Sequence, residues 1–165
     1  YLDYGLESQN IWQRAYVSLL GLLPSASPEV IYLQTSFDDG GESLSGNCSY
    51  TLSGEVPDAR YWSYAIYGND NYYLQDPNSL FDEPTFDDLF AQVTNGSELT
   101  SIIGENYIIT IDNNLINQNG TLSHFGNDFT LIYRIYGPNL NYYENPTSIP
   151  VASIINQGCK WKVGL

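Results

Sequence analysis

The chain has 165 residues, 42% of them apolar, and a formal net charge of −14 from 5 Lys plus Arg against 19 Asp plus Glu. This is the size of one domain with enough apolar content for a core, which excludes a disordered tail. The charge excludes a reader of phosphate backbones and argues against docking on anionic membranes, both of which need clustered cations. No apolar run reaches the ~18–20 residues of a membrane span. The sequence holds no Met and no cationic, apolar leader, so it reads as a processed chain or a fragment of a longer one.

In chain order, residues 8–23 form the one strong helix signal. Ser8 is an N-cap with Glu7 beside the positive helix end. Ile11, Ala15, Ser18, Leu19 and Leu22 recur at helical steps, widened by Trp12, Tyr16 and Leu20. Pro24 to Pro28 ends the helix. Strand signals dominate afterwards. Val30 to Ser36 is a β-rich run, Asp38-Asp39-Gly40-Gly41 supplies hairpin-turn chemistry, and Cys48 to Ser53 returns. Tyr61 to Tyr67 sets Trp62, Tyr64 and Ile66 on the core face against Tyr61, Ser63 and Ala65. An acidic insert, Ser79 to Val93, follows. Its Pro84, Asp87 and Asp88 suit the start of a short helix whose apolar side is Phe81, Phe86, Leu89 and Phe90. Tyr107 to Ile111 is a buried strand. Phe129, Leu131, Tyr133 and Ile135 share one face of the next, and Ile149 to Ile155 is the last. One helix and then seven or more short strands predict a mainly β single domain, a β-sandwich or jelly roll spanning 30–155, with one N-terminal helix and a short acidic helical insert.

Composition points outward from the cell. Tyr numbers 15 and Asn 16, types that favour pleated surfaces and turns. Cys48 and Cys159 suit one disulfide, which would close a loop of about 110 residues. Three sequons, at Asn47, Asn95 and Asn119, sit in turn-like contexts containing or following Gly, where a glycan points outward. So many Asn, Ser and Thr produce sequons by chance, so their placement rather than their number carries the reading.

The ordered motifs resemble a family known as domain of unknown function 1214. They are Tyr4-Gly5, Arg14-Ala15, Gly21-Leu22, Pro28-Glu29, Asp38-Asp39-Gly40-Gly41, Leu44-Ser45-Gly46, Pro57-Asp58-Ala59-Arg60-Tyr61-Trp62-Ser63 running to Tyr67, Ser101 to Glu105, and Phe129 to Pro138. The resemblance covers nearly the whole chain. It implies a jelly-roll-like sandwich, usually the C-terminal partner of the family numbered 1254, and it implies no reaction. The chain departs from the family pattern at Asn119 to Phe125, which replaces an Asn-Trp-Leu-Pro stretch, at Asn106, which replaces an Arg, and in the acidic insert. A ligand pocket lined by the lost Trp and Arg in relatives would be altered here.

Catalytic constellations are lacking. One His and two distant Cys make no four-ligand metal site. Asp38, Asp39 and Glu42, or Asp82, Glu83, Asp87 and Asp88, are weak calcium candidates, read first as a solvated hairpin tip and a helix start. A Ser-His-Asp triad would need His124, read as a surface residue in a polar loop, and no Gly-x-Ser-x-Gly elbow accompanies it. Phosphate loops and dinucleotide fingerprints are missing. Tyr61, Trp62, Tyr64, Tyr72, Tyr73, Tyr142, Tyr143 and Trp161 are candidate sugar or interface aromatics, with Trp62, Tyr64 and Ile66 read as core. Each consecutive Tyr pair would set one ring on each side of a strand. Arg14 and Arg134, in apolar surroundings, are each expected to pair with a carboxylate.

The sequence therefore predicts a non-catalytic, secreted, glycosylated building block without nucleic-acid partners or a required cofactor. The apolar ends, Tyr1 to Leu6 and Lys160 to Leu165, would dock on neighbouring copies to build a filament or surface layer. The alternative is a carbohydrate- or small-molecule-binding β-sandwich module, and a hydrolase stands third.

Overall fold

A computed structural model describes residues 29–70, 72–74, 92–96, 104–113 and 120–160. The predicted helix over 8–23, most of the acidic insert and the apolar ends other than Lys160 lie outside the described residues. Eight strands are present among the described residues: β1 (Val30–Thr35), β2 (Cys48–Glu55), β3 (Ala59–Gly68), β4 (Val93–Asn95), β5 (Asn106–Asp112), β6 (Thr121–Ser123), β7 (Phe129–Pro138) and β8 (Ser153–Cys159). They form two four-stranded sheets, ordered β1-β7-β3-β4 and β6-β5-β2-β8. All pairs are antiparallel except β5 with β6. No helix among the described residues is long and apolar enough to cross a membrane, which says nothing of a β-barrel.

Period-two alternation decides the packing. On β3, Trp62, Tyr64 and Ile66 are buried in the core, and on β7 Phe129, Leu131, Tyr133 and Ile135 join them. From the second sheet come Tyr50 and Leu52 of β2, Tyr107, Ile109 and Ile111 of β5, and Ile154 of β8. Rings from the two sheets touch directly. Trp62 and Tyr107 have centroids 4.5 Å apart, and Tyr50 meets Phe129 edge-on at 5.8 Å. The strand assignments over β1, β2, β3, β5 and β7 agree with the alternation in the sequence to within a few residues.

Several expectations are corrected. The Asp38 turn exists, with the Asp38 carboxylate accepting from the amides of Gly40 and Glu42, but it joins no two-stranded hairpin beyond a single Phe37–Ser43 bridge. β1 pairs with β7, and the chain crosses into the other sheet, where β2 lies between β5 and β8. Asp39 anchors the crossing, because its carboxylate accepts from the Ile154 amide at 3.0 Å and from the Ser153 hydroxyl. The last strand begins at Ser153 rather than Ile149. Tyr142 and Tyr143 sit in a one-turn helix, α1 (Asn141–Glu144), followed by a 3-10 turn over Pro146–Ser148, and not on a strand.

The cysteines are bonded. Cys48 and Cys159 are register partners on β2 and β8, with sulfurs 2.06 Å apart. Close to this end Gly46 passes directly against the backbone of Gly126. A Cβ at Gly46 would stand 2.2 Å from the Gly126 carbonyl carbon, so only glycine permits the crossing.

Candidate functional site

A narrow cleft of about 80 Å³ lies between the sheets. Leu33 of β1 and Leu131 of β7 form one wall, and Leu52 of β2 and Ile154 of β8 the other. Val151, which is 70% exposed, and Ala152 stand at its edge. Gln34 and Thr35 of β1 and the rings of Tyr64 and Tyr133 complete the described lining.

Tyr64 and Tyr133 are register partners on β3 and β7. Their rings stack face to face, with centroids 4.4 Å apart and planes 9° from parallel. The Tyr64 hydroxyl shares a 2.7 Å hydrogen bond with that of Tyr107, which reaches across from the other sheet. Tyr107 takes that path because its register partner is Gly54. A Cβ there would meet the Tyr107 hydroxyl oxygen at 2.7 Å, so the missing side chain makes room for the ring. Trp62 packs against all three tyrosines.

The Tyr133 hydroxyl is different. The residue is 3% exposed, and its oxygen has no hydrogen-bond partner among the described residues. Buried hydroxyls are nearly always paired, and leaving one unmade costs about 1–3 kcal/mol. Burial, together with Tyr107 and Tyr142 nearby, raises the Tyr133 pKa strongly. Burial also lifts Tyr64 well above the ordinary phenol value, while the Ala152 backbone amide opposes that rise. Tyr107 is pushed up to about 12, again by burial, with its bond to Tyr64 acting in the other direction. All three are therefore neutral donors at physiological pH. Tyr64 and Tyr107 own two hydroxyl protons and share one bond, so one proton of the pair also lacks an acceptor among the described residues.

A broader, open hollow of about 460 Å³ lies beside the cleft, between Gly54 and Glu55 of β2, Asn106 and Ile108 of β5, and Pro150. Val151 borders both. The hollow is the more open of the two and is bordered by exposed Glu55 and Asn106, so the cleft between the sheets is the better-enclosed site.

The residues singled out by sequence fall in several places. Tyr72 is fully outside, 74% exposed in a turn. Tyr73 is half-buried, stacked on Tyr67 at 4.6 Å and accepting its hydroxyl proton at 3.1 Å. Tyr142 is buried, its hydroxyl accepting from the Asp58 amide at 2.9 Å, so it offers no exposed face, and Tyr143 is half-buried. Trp161 lies outside the described residues. Asn47 is exposed in the turn before β2, whereas Asn119 and the Asn95 side chain lie outside the described residues. Asp38 and Asp39 spend their carboxylates on backbone and hydroxyl donors, and no group of three or more His, Cys, Asp or Glu gathers among the described residues.

Two expectations about cations are overturned. His124 is buried at 1% exposure rather than lying on the surface. Its Nδ1 accepts from the Gly126 amide at 3.0 Å, so the proton sits on Nε2, which donates to the Cys48 carbonyl at 2.9 Å. Burial lowers its pKa, against the pull of that carbonyl, and holds the ring neutral. The ring also stacks on Phe129, so both nitrogens and one face are committed to structure. Arg134 pairs with no carboxylate among the described residues. It projects from the face of β7 opposite the cleft, donates to the Tyr67 hydroxyl and lies 5.5 Å from the Tyr67 ring centre. Carboxylates are excluded there because the neighbouring cross-strand positions are Tyr32 and Ser63.

Sequence reasoning placed Tyr64 in the core and missed the phenol cluster. The available signal was a hydroxyl-bearing Tyr133 on an otherwise apolar face with Phe129, Leu131 and Ile135. Its partner across the sheets depends on the third dimension.

No curated protein matches the sequence. Among solved structures, a protein from Vibrio parahaemolyticus is similar over 87% of this chain and 34% of its own, at 21% identity and a TM-score of 0.63. An uncharacterized protein from Burkholderia cenocepacia is similar over 82% of this chain and 33% of its own, at 12% identity and a TM-score of 0.51. These likenesses concern the fold, and this chain spans about a third of the length of each. The model of the family described as Protein of unknown function (DUF1214) matches residues 29–140, well over half of the sequence and nearly the full run of strands, and the chain belongs to that family.

Proposed function

We propose that this domain is a non-catalytic, extracellular β-sandwich of jelly-roll type that binds a small neutral molecule in the cleft between its sheets. One observation carries the reading: an apolar cleft of about 80 Å³ opens between Leu33 and Leu131 of one sheet and Leu52 and Ile154 of the other. Binding sites pair an apolar lining with a few polar groups that fix orientation, here Gln34 and Thr35. Among the described residues the cleft lining holds no carboxylate, imidazole or amine, which favours holding a ligand over moving its protons. The disulfide supports an oxidising compartment, and an exposed sequon asparagine, Asn47, supports glycosylation. The test is a titration with small neutral organic molecules, followed by the methyl resonances of Leu33, Leu52, Leu131, Val151 and Ile154. Saturable shifts confined to these methyls support binding in the cleft. Shifts absent throughout, or spread over the surface, reject it.

Self-association is the second reading, favoured by one feature. β8 is an edge strand of its sheet, exposed from Ile155 onward and paired only with β2 among the described residues. Such an edge can accept a strand from a second copy. At a net charge of −14 the copies repel, so association should strengthen with salt. Sedimentation showing monomers at every salt and protein concentration would remove this reading.

A further inference from the structure

We infer that Arg134 anchors a second binding site, on the outer face of the β1-β7-β3-β4 sheet, for a small molecule that carries one carboxylate on a ring. The site lies on the face of β7 opposite the cleft and does not rest on the reading of the cleft.

Arg134 is a cation without a counter-ion. The chain has 19 Asp plus Glu, and no described carboxylate pairs with it. Its cross-strand neighbours are Tyr32 on β1 and Ser63 on β3. The other described cations, Arg60 and Lys160, are exposed and solvated, whereas Arg134 is half-buried. Taking a charge out of water is costly unless an anion compensates it. What the described residues supply instead is phenol. Arg134 donates to the Tyr67 hydroxyl, and the Tyr73 hydroxyl lies close by. Tyr67 gives no negative charge in return, because burial raises its pKa.

The guanidinium still has donors to offer. Its Nε is enclosed and makes no hydrogen bond to a described residue. Nη2 is the atom that meets Tyr67. Nη1 makes no hydrogen bond to a described residue and is not enclosed as Nε is, so it is the donor presented to solvent. The end of the planar fork formed by Nη1 and the second proton of Nη2 matches the paired oxygens of a carboxylate.

The surroundings select the rest of the ligand. Tyr67 stacks on Tyr73 at 4.6 Å, and Tyr61 packs on Tyr136 at 5.4 Å. All four rings are half-buried, so each keeps some surface for a ring carried by the carboxylate. A single guanidinium balances a single negative charge. A phosphate monoester, which approaches a dianion, would leave excess charge on a protein already at −14. An aromatic acid and a uronic acid both offer the required chemistry.

The test uses the intact chain at neutral pH and four probes: benzoate, glucuronate, benzamide and phenyl phosphate. The main readout is the Nε–H resonance of Arg134, assigned by its loss in Arg134→Lys and slowed in exchange by the enclosure of Nε. Affinities come from ligand-observed NMR. Benzoate or glucuronate is expected to move this resonance saturably, the better of the two naming the ring. Benzamide, the neutral analogue of benzoate, is expected to leave it in place, and phenyl phosphate to bind more weakly than benzoate. Arg134→Gln is expected to weaken the carboxylate about tenfold or more, the worth of a charge-assisted hydrogen bond. Should that variant fail to fold, the wild-type resonance with benzoate against benzamide decides alone. A resonance unmoved by both carboxylates overturns the site. Equal shifts with benzamide, tighter binding of phenyl phosphate, or unchanged carboxylate affinity in a folded Arg134→Gln overturns the carboxylate assignment.

Discussion

Replacing Tyr133 with Phe should stabilise the unliganded protein. The substitution deletes one oxygen and keeps the ring stacked on Tyr64 at 4.4 Å, so the packing is retained. The deleted hydroxyl is buried and has no partner among the described residues. A hydroxyl in that state costs about 1–3 kcal/mol. Single hydrogen-bonding groups have net effects of about 1 kcal/mol, which sets the size of the expected gain. For a chain of this size that is a rise of about 2–4 °C in Tm. Tyr64→Phe is the matched contrast. It breaks a 2.7 Å bond and strands the Tyr107 hydroxyl, so a loss of about 1–3 kcal/mol is expected. The assay is urea unfolding of the disulfide-intact protein at neutral pH without added ligand. Opposite signs for the two variants support the reasoning. A Tyr133→Phe loss of 1 kcal/mol or more, similar to that of Tyr64→Phe, would show that Tyr133 is paired and refute it.

Four further outcomes are expected. Because His124 is held neutral, its folded pKa lies below the ordinary 6.5, and the stability it contributes is fully present above that pH and declines as pH falls below it. His124→Gln should flatten the fall in unfolding free energy between neutral and mildly acidic pH, and an unchanged slope would contradict the assignment. Replacing both Cys48 and Cys159 with Ser opens a loop closed across 111 residues and should cost about 4–5 kcal/mol, read by denaturant unfolding. Gly54→Ala places a methyl 2.7 Å from the Tyr107 hydroxyl oxygen and should cost about 1–3 kcal/mol by overpacking. A near-neutral result would mean that Tyr107 lies elsewhere. Intact mass of material secreted from a eukaryotic host should drop on enzymatic deglycosylation, and Asn47→Gln should remove one glycan's worth.

Much of the sheet structure was legible because it rests on local alternation. Trp62, Tyr64 and Ile66 alternate with Tyr61, Ser63 and Ala65, and the first set is core. Phe129 to Ile135 behaves the same way. The three-residue strands β4 and β6 were not legible, since so short a segment has no period to read. The Asp38 turn was identifiable from its Asp and Gly residues, but which sheet the chain enters after it depends on Cys48 meeting Cys159 and on Asp39 meeting Ile154. Tyr142-Tyr143 looks like a strand by composition, and Pro146 with the Asn139 and Asn145 turns makes it a helical corner instead. His124 was misplaced because a Gly-flanked polar loop normally lies outside. Here Nδ1 and Nε2 satisfy buried backbone groups that the loop brings with it. The cleft was invisible for a related reason. Its walls come from β1, β2, β7 and β8, four strands that meet only through the pairing of the sheets and their packing.

The most direct test is a crystal structure of the protein soaked with a small neutral organic molecule such as isohexane. The expected result is density for it between Leu52 and Leu131. A collapsed cleft, or a cleft that stays empty in the soak, would contradict the account.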